Sequence, residues 1–153
     1  MGPVIRRALP RDAPALTRVA HAAKRHRRYP EPWIARWREA LTLTTDSIER
    51  SPVYCAVEGA RIVGFYALSG RGAERELEHM WIVPERIGAG LGRQLLAHAR
   101  ATAHADGART IRIAADPYAV GFYLNAGARL VGEVASTPRG RMLPLPLLLL
   151  SAR

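Results

Sequence analysis

Cysteine is almost missing from this chain. Cys55 is the only one, so no internal disulfide framework is available and a reducing compartment is expected. Lysine is almost missing too: of 23 basic residues, Lys24 is the only lysine. No apolar run approaches the roughly 20 residues that a membrane helix needs, and the first residues lack an apolar signal core. A cytoplasmic protein with no membrane partner is the expectation. No Gly-Lys-Ser/Thr follows the glycines at 88–92, which excludes a Walker-type nucleotide loop. The same glycines do not give the Gly-x-Gly-x-x-Gly of a dinucleotide site. Internal repeats and low-complexity segments are absent, and no residue set reads as a metal site.

What is present fits one globular domain spanning 1–153, with 48% apolar and 24% charged residues. The net charge of +10 comes almost wholly from arginine. Such a surface attracts nucleic acid, an acidic partner or an anionic cofactor, or else reflects a general bias toward arginine and alanine. The densest cluster, Lys24-Arg25-His26-Arg27-Arg28, lacks the interleaved aromatics that stack bases, which argues against a nucleic-acid partner.

The chain is organised around residues 77–100. Leu77-Glu78-His79-Met80-Trp81-Ile82-Val83-Pro84 reads as a buried strand closed by proline. Leu91, Leu95 and Leu96 recur at helical spacing. Gly88, Gly90 and Gly92 lie between. Strand, glycine loop and helix in that order form a phosphate-holding device. Backbone without Cβ atoms lets an anion approach, and the first N–H groups of a helix lack partners and carry the positive end of its dipole. Arg93 adds a cation at the rim.

Before this stretch, a strand over 4–7 precedes a helix with Asp12 as cap and Leu16, Val19, Ala20 and Ala23 as its apolar stripe. The basic cluster ends that helix. Trp33, Ile34, Trp37 and Leu41 predict a second one. A capped turn follows at 44–48, then a hairpin over 53–58 and 61–69. Cys55 reads as a buried structural thiol.

The next strand starts at Glu74. Strict alternation puts Glu74, Glu76, Glu78, Met80 and Ile82 on one face and Leu77, His79, Trp81 and Val83 on the other. A row of carboxylates is a solvated edge or a source of a general base. Downstream, a strand is expected over 110–114. Asp116 as N-cap, Pro117 at the first helical position and Gly127 past the end bracket a short helix carrying Phe122 and Tyr123. A strand follows over 129–134, then a loop over 136–141. The apolar segment 142–150, with Pro144 and Pro146, is expected to be a final buried strand that enters through a proline-tolerant edge, and it is suited to a dimer contact.

Two motifs resemble the GNAT superfamily of acyl-CoA-dependent N-acetyltransferases. The family's loop, Gln/Arg-x-x-Gly-x-Gly/Ala, falls on Ile87-Gly88-Ala89-Gly90-Leu91-Gly92; both glycines fit, and Ile87 replaces the leading Gln/Arg. The family's Asn-x-x-Ala-x-x-Phe-Tyr-x-x-x-Gly-Phe falls on Asp116, Ala119, Phe122, Tyr123, Gly127 and Ala128, with Asp for Asn and Ala for the last Phe. Asp-Pro with Phe-Tyr and Gly-Ala, together with the closing Gly140-Arg141-x-Leu143-Pro144, is similar to a bacterial branch.

The resemblance implies an α/β GNAT-like fold, with a mixed central β-sheet whose central strands splay and are flanked by helices. It implies acetyl-CoA as co-substrate and a primary amine as acceptor. Pantetheine would pair with the main chain of Met80, Trp81 and Ile82. The pyrophosphate would rest on the amides of Gly88, Ala89, Gly90, Leu91, Gly92 and Arg93, with Asp116 also toward the cofactor. Glu78 is the first choice as base, with Glu76 and His79 behind it, and Tyr123 is the acid that protonates the leaving thiolate. The helix pair forms one wall of the acceptor site, so Trp33 and Trp37 line a substrate pocket or belong to the core. Small amines, drugs, peptide N-termini and protein lysines all stay open as acceptors. A basic nucleic-acid-associated protein and a non-catalytic CoA-binding relative are the alternative readings; Ile87 supports the second.

Overall fold

A computed structural model describes residues 2–135 and 145–153. The expected loop at 136–141, the start of the closing segment and the Gly140-Arg141-x-Leu143-Pro144 pattern lie outside the described residues. Seven strands make one sheet: β1 (Val4–Arg7), β2 (Val53–Glu58), β3 (Arg61–Ser69), β4 (Glu74–Ile82), β5 (Thr110–Ala114), β6 (Arg129–Val134) and β7 (Leu145–Ser151). Their spatial order is β1-β2-β3-β4-β5-β7-β6. β4 and β5 are parallel and the other pairs antiparallel, so the sheet is mixed. The helices are α1 (Ala13–His26), α2 (Glu31–Arg36), α3 (Thr45–Arg50), α4 (Leu91–Ala105) and α5 (Val120–Asn125).

The helices cover both faces. α1 buries Leu16, Val19 and Ala20 against β3 and β4, and α4 buries Leu91, Leu95, Leu96, Ala99 and Ala103 on the opposite side. Each leucine so buried contributes about 1.5–3 kcal/mol. The Tyr66 hydroxyl of β3 pairs with His98 Nδ1 of α4 at 2.7 Å, while the neighbouring Phe65 faces the α1 side with His79. Among the described residues, no helix is long and apolar enough to cross a membrane.

Four expectations are corrected. Asp12 does not cap α1. Its carboxylate takes the Arg6 guanidinium and, at 2.7 Å, the Leu9 N–H, which ties β1 to the turn before the helix. The second helix stops at Arg36; residues 37–41 continue as turns, with Trp37 and Leu41 buried. β7 is an interior strand, paired to β5 and β6 at once. Pro146 stands at the second position of this strand, and its carbonyl takes the Ala115 N–H at 2.9 Å.

The fourth correction concerns alternation in β4. Ala67 pairs with His79 but Leu68 pairs with Leu77, so Glu78 is an extra residue, a β-bulge. Cross-strand partners share a face. Leu77 therefore joins Met80 and Ile82, whereas Glu76 falls on the side of His79 and Trp81. The row of three carboxylates is broken at the bulge.

Candidate active site

β4 and β5 pair only through Glu74 with Thr110, Arg75 with Ile111 and Glu76 with Arg112. Beyond that point β5 keeps its other neighbour, pairing Ile113 and Ala114 with Leu148 and Leu147 of β7. β4 runs on for six more residues with β3 alone. The closed end is clamped by Arg112, whose Nη1 donates to both oxygens of Glu76 at 3.0 Å. In the divergence lies a cavity of about 380 Å³. The splay opens right after Glu76.

The glycine loop closes one end of this cavity. Gly88 and Gly90 have φ of +83° and +86°, left-handed values that side chains with a Cβ adopt at a penalty. Gly90 is the residue before α4. Gly92 serves differently: a Cβ there would stand 3.1 Å from Ile82 Cδ1 and 3.2 Å from Phe122 Cε1. Among the described residues, the amides of Gly88, Gly90, Leu91, Gly92 and Arg93 have no main-chain acceptor, whereas Ala89 N–H is spent on Arg86 O. A cradle of free N–H groups at a helix start suits a phosphate. Arg27, Arg86 and Arg93 line the same cavity. Arg86 is also paired with Glu58, its Nε donating at 3.0 Å.

The structure brings most of the expected residues together. Glu78, Met80, Trp81, Ile82, Gly88, Gly90, Gly92, Arg93, Asp116 and Tyr123 all line the cavity; Ala89 and Leu91 do not, Leu91 being buried in the core. Glu78 is exposed, and none of the salt bridges among the described residues uses it. Glu76 is taken by Arg112. His79 turns to the α1 side, where its Nδ1 accepts the Trp81 indole N–H at 3.0 Å, so the neutral ring carries its proton on Nε2. Burial holds the His79 pKa below the ordinary imidazole value, with Glu78 opposing in part. Tyr123 is 5% exposed. Burial, and then the charge of Asp116, push its phenol well above the ordinary value, so it stays protonated at neutral pH.

Asp116 is the least expected part of the site. Its Oδ2 receives Lys24 Nζ at 2.7 Å, and its Oδ1 receives both the Tyr29 hydroxyl and the Tyr118 N–H at 3.0 Å. Burial pushes the Asp116 carboxyl up; the charge of Lys24 and these hydrogen bonds overcome it and hold the group below the usual carboxylate range. Lys24 is 5% exposed. Its ammonium lies 4.2 Å from the Trp37 ring centroid, 4.7 Å from Tyr29 and 5.7 Å from Trp81. Trp33 stacks on Tyr29, and neither Trp33 nor Trp37 reaches the cavity; the core reading holds for Trp37. The signal for Lys24 was in the helical period: Leu16, Ala20 and Lys24 fall at steps of four on one buried face.

Residues 29–142 match the family described as an acetyltransferase (GNAT) domain. No curated protein matches the chain. Similar solved structures include PaiA N-acetyltransferase from Thermoplasma acidophilum in complex with coenzyme A, with a TM-score of 0.82 and 19% identity over 99% of both chains. The ribosomal-protein-S18-alanine N-acetyltransferase from Escherichia coli aligns with a TM-score of 0.72 and 18% identity, over 98% of this chain and 94% of that one. A GNAT family acetyltransferase from Brucella melitensis in complex with acetyl-CoA aligns with a TM-score of 0.69 and 21% identity, over 97% and 87%. At such identities the likeness carries the fold: a mixed sheet, open at its centre and flanked by helices.

Proposed function

Since the chain belongs to the GNAT acetyltransferase family, we propose that it moves an acetyl group from acetyl-CoA to a primary amine by direct attack. The observation that carries this reading is the unpaired edge of β4, running from Glu78 to Ile82 toward the free amides of the glycine loop. An extended pantetheine arm completes such an edge as a strand would, and the loop amides receive the pyrophosphate. The relatives from Thermoplasma and Brucella carry coenzyme A and acetyl-CoA, which supports the same cofactor here. The arginines at the rim favour a polyanion. The single buried thiol suits a reducing bacterial cytoplasm.

Glu78 is the base. Its bulged position turns it into the cavity, where it takes a proton from the acceptor ammonium directly or through water. The amine nitrogen then bonds to the thioester carbon while the β4 main-chain N–H groups stabilise the developing oxyanion. As the C–S bond breaks, Tyr123 gives its proton to sulfur, and the second proton that the new amide nitrogen sheds passes to the phenolate through water. The buried Tyr123 phenol is protonated when needed. Calorimetric titration with acetyl-CoA, beside NAD and ATP, tests the reading. Selective binding of acetyl-CoA followed by turnover with an amine is expected; binding without turnover over a broad amine panel would leave a CoA-binding relative, and no binding would overturn both.

A further inference from the structure

We propose that Lys24 is a positioning residue of this site: its ammonium neutralises Asp116, so that no unbalanced negative charge faces the sulfur as the thiolate leaves. The proposal rests on the acetyl-transfer reading for its kinetic part and on the ion pair alone for its stability part. The two charges meet at 2.7 Å, with side chains only 7% and 12% exposed. Asp116 forms part of the cavity wall, as does Tyr123. Asp116 also caps the turn at Pro117–Ala119 that leads into α5, so the pair connects α1 to the element carrying the acid.

Among the described residues, the groups facing Asp116 are few. α1 brings Lys24, and Arg27 over the Tyr118 ring at 5.3 Å. The segment after α1 brings the Tyr29 hydroxyl. The turn brings Tyr118, and α5 brings Tyr123, whose phenol is raised in part by the Asp116 charge. β4 brings Trp81 and, across the cavity, Glu78. Of these, Lys24 is the cation in direct ionic contact, seated among Tyr29, Trp37 and Trp81. A lysine is the compact choice for such a box; a guanidinium is a broad planar fork. In a chain that otherwise uses arginine for every permanent cation, the exception sits where a point charge fits.

Removing one member of a buried pair leaves the other uncompensated, whereas removing both is close to neutral. In Lys24→Met, burial would raise the Asp116 pKa, since the largest opposing influence is gone. Below that pKa the carboxyl is neutral; above it a bare anion stands beside the sulfur. The defect therefore grows as pH rises. In the wild-type protein Asp116 is held low and does not titrate near neutrality, so the ratio of wild-type to variant isolates the effect.

The test compares wild-type protein, Lys24→Met and the double variant Lys24→Met/Asp116→Asn. Thermal unfolding and kcat/KM for acetyl-CoA are followed from about pH 5 to pH 9. The expected kcat/KM loss in Lys24→Met is about tenfold or more at the alkaline end and several-fold smaller at the acid end. The double variant should lose the pH dependence and show a flat ratio. A loss in Lys24→Met that is equal at every pH, or a double variant whose ratio still worsens as pH rises, would overturn the proposal in favour of a packing role. If Lys24→Met does not fold while the double variant does, the charge argument stands; if neither folds, it falls. Absence of turnover in all three, with the unfolding pattern intact, would count against the acetyl-transfer reading and not against the ion pair.

Discussion

β4 behaves as two different strands. Its first three residues pair with β5, Glu76 pairs with β3 as well, and the Glu76–Arg112 pair clamps that end. Its last six have β3 on one side and a cavity on the other. Composition differs, Glu74-Arg75-Glu76 being charged throughout and residues 77–82 mostly apolar, but it does not say where the strand loses a partner. That is set by what the neighbours do. β5 is drawn away by β7, and the bulge at Glu78 re-aims one carboxylate just past the fork. A sheet thus builds a binding edge by withholding a partner, and hydrogen bonding that would have stabilised the fold is kept for a ligand.

The sharpest break in this comparison comes from Tyr123→Phe at the open end. Turnover should fall about hundredfold, with acetyl-CoA affinity changed less than about threefold. Steady-state kinetics with calorimetry separates the two, and equal losses would remove the acid role. Next in size is Gly92→Val, whose side chain would press on Ile82 and Phe122. A drop in acetyl-CoA affinity of about tenfold or more is expected, together with a loss of about 1–3 kcal/mol in stability; unchanged affinity would mean that the loop gives way without harm. Glu76→Gln probes the closed end. Its side chain is 38% exposed and that of Arg112 31%, so solvent screens the pair. Unfolding should shift by about 1 kcal/mol or less, with turnover unaltered; lost turnover would tie the clamp to the chemistry. The smallest effect belongs to Asp46→Ala, which removes a surface pair with Arg50 far from the cavity. About 0.3–0.5 kcal/mol is expected in denaturant unfolding.

Element order, the glycine loop and the Asp116 turn were legible because each is written locally. Glycines mark left-handed backbone, Asp-Pro opens a helix, and apolar periods mark buried faces. The bulge at Glu78 was not legible. Alternation assumes one residue per partner, and only the cross-strand register, a property of β3 and β4 together, reveals the surplus. The second helix was over-extended because Trp37 and Leu41 keep the helical period while packing from turns. β7 reads in the sequence as a buried strand entering through a proline-tolerant edge; buried it is, but it lies between β5 and β6, a placement that only the pairing of distant segments reveals. Lys24 was counted with the basic run around it, whereas its phase on α1 belongs to the buried stripe.

That phase has a practical corollary. An amine-directed reagent, such as an acylating or reductive-alkylating label, has a single lysine to find in this chain, and it is sealed under Tyr29, Trp37 and Trp81. Labelling at Lys24 must then wait for α1 to part from the Asp116 turn. The rate at which the label appears on the peptide carrying Lys24 becomes a clock for that local opening, with no neighbouring lysine to confuse it and the terminal amine on a separate peptide.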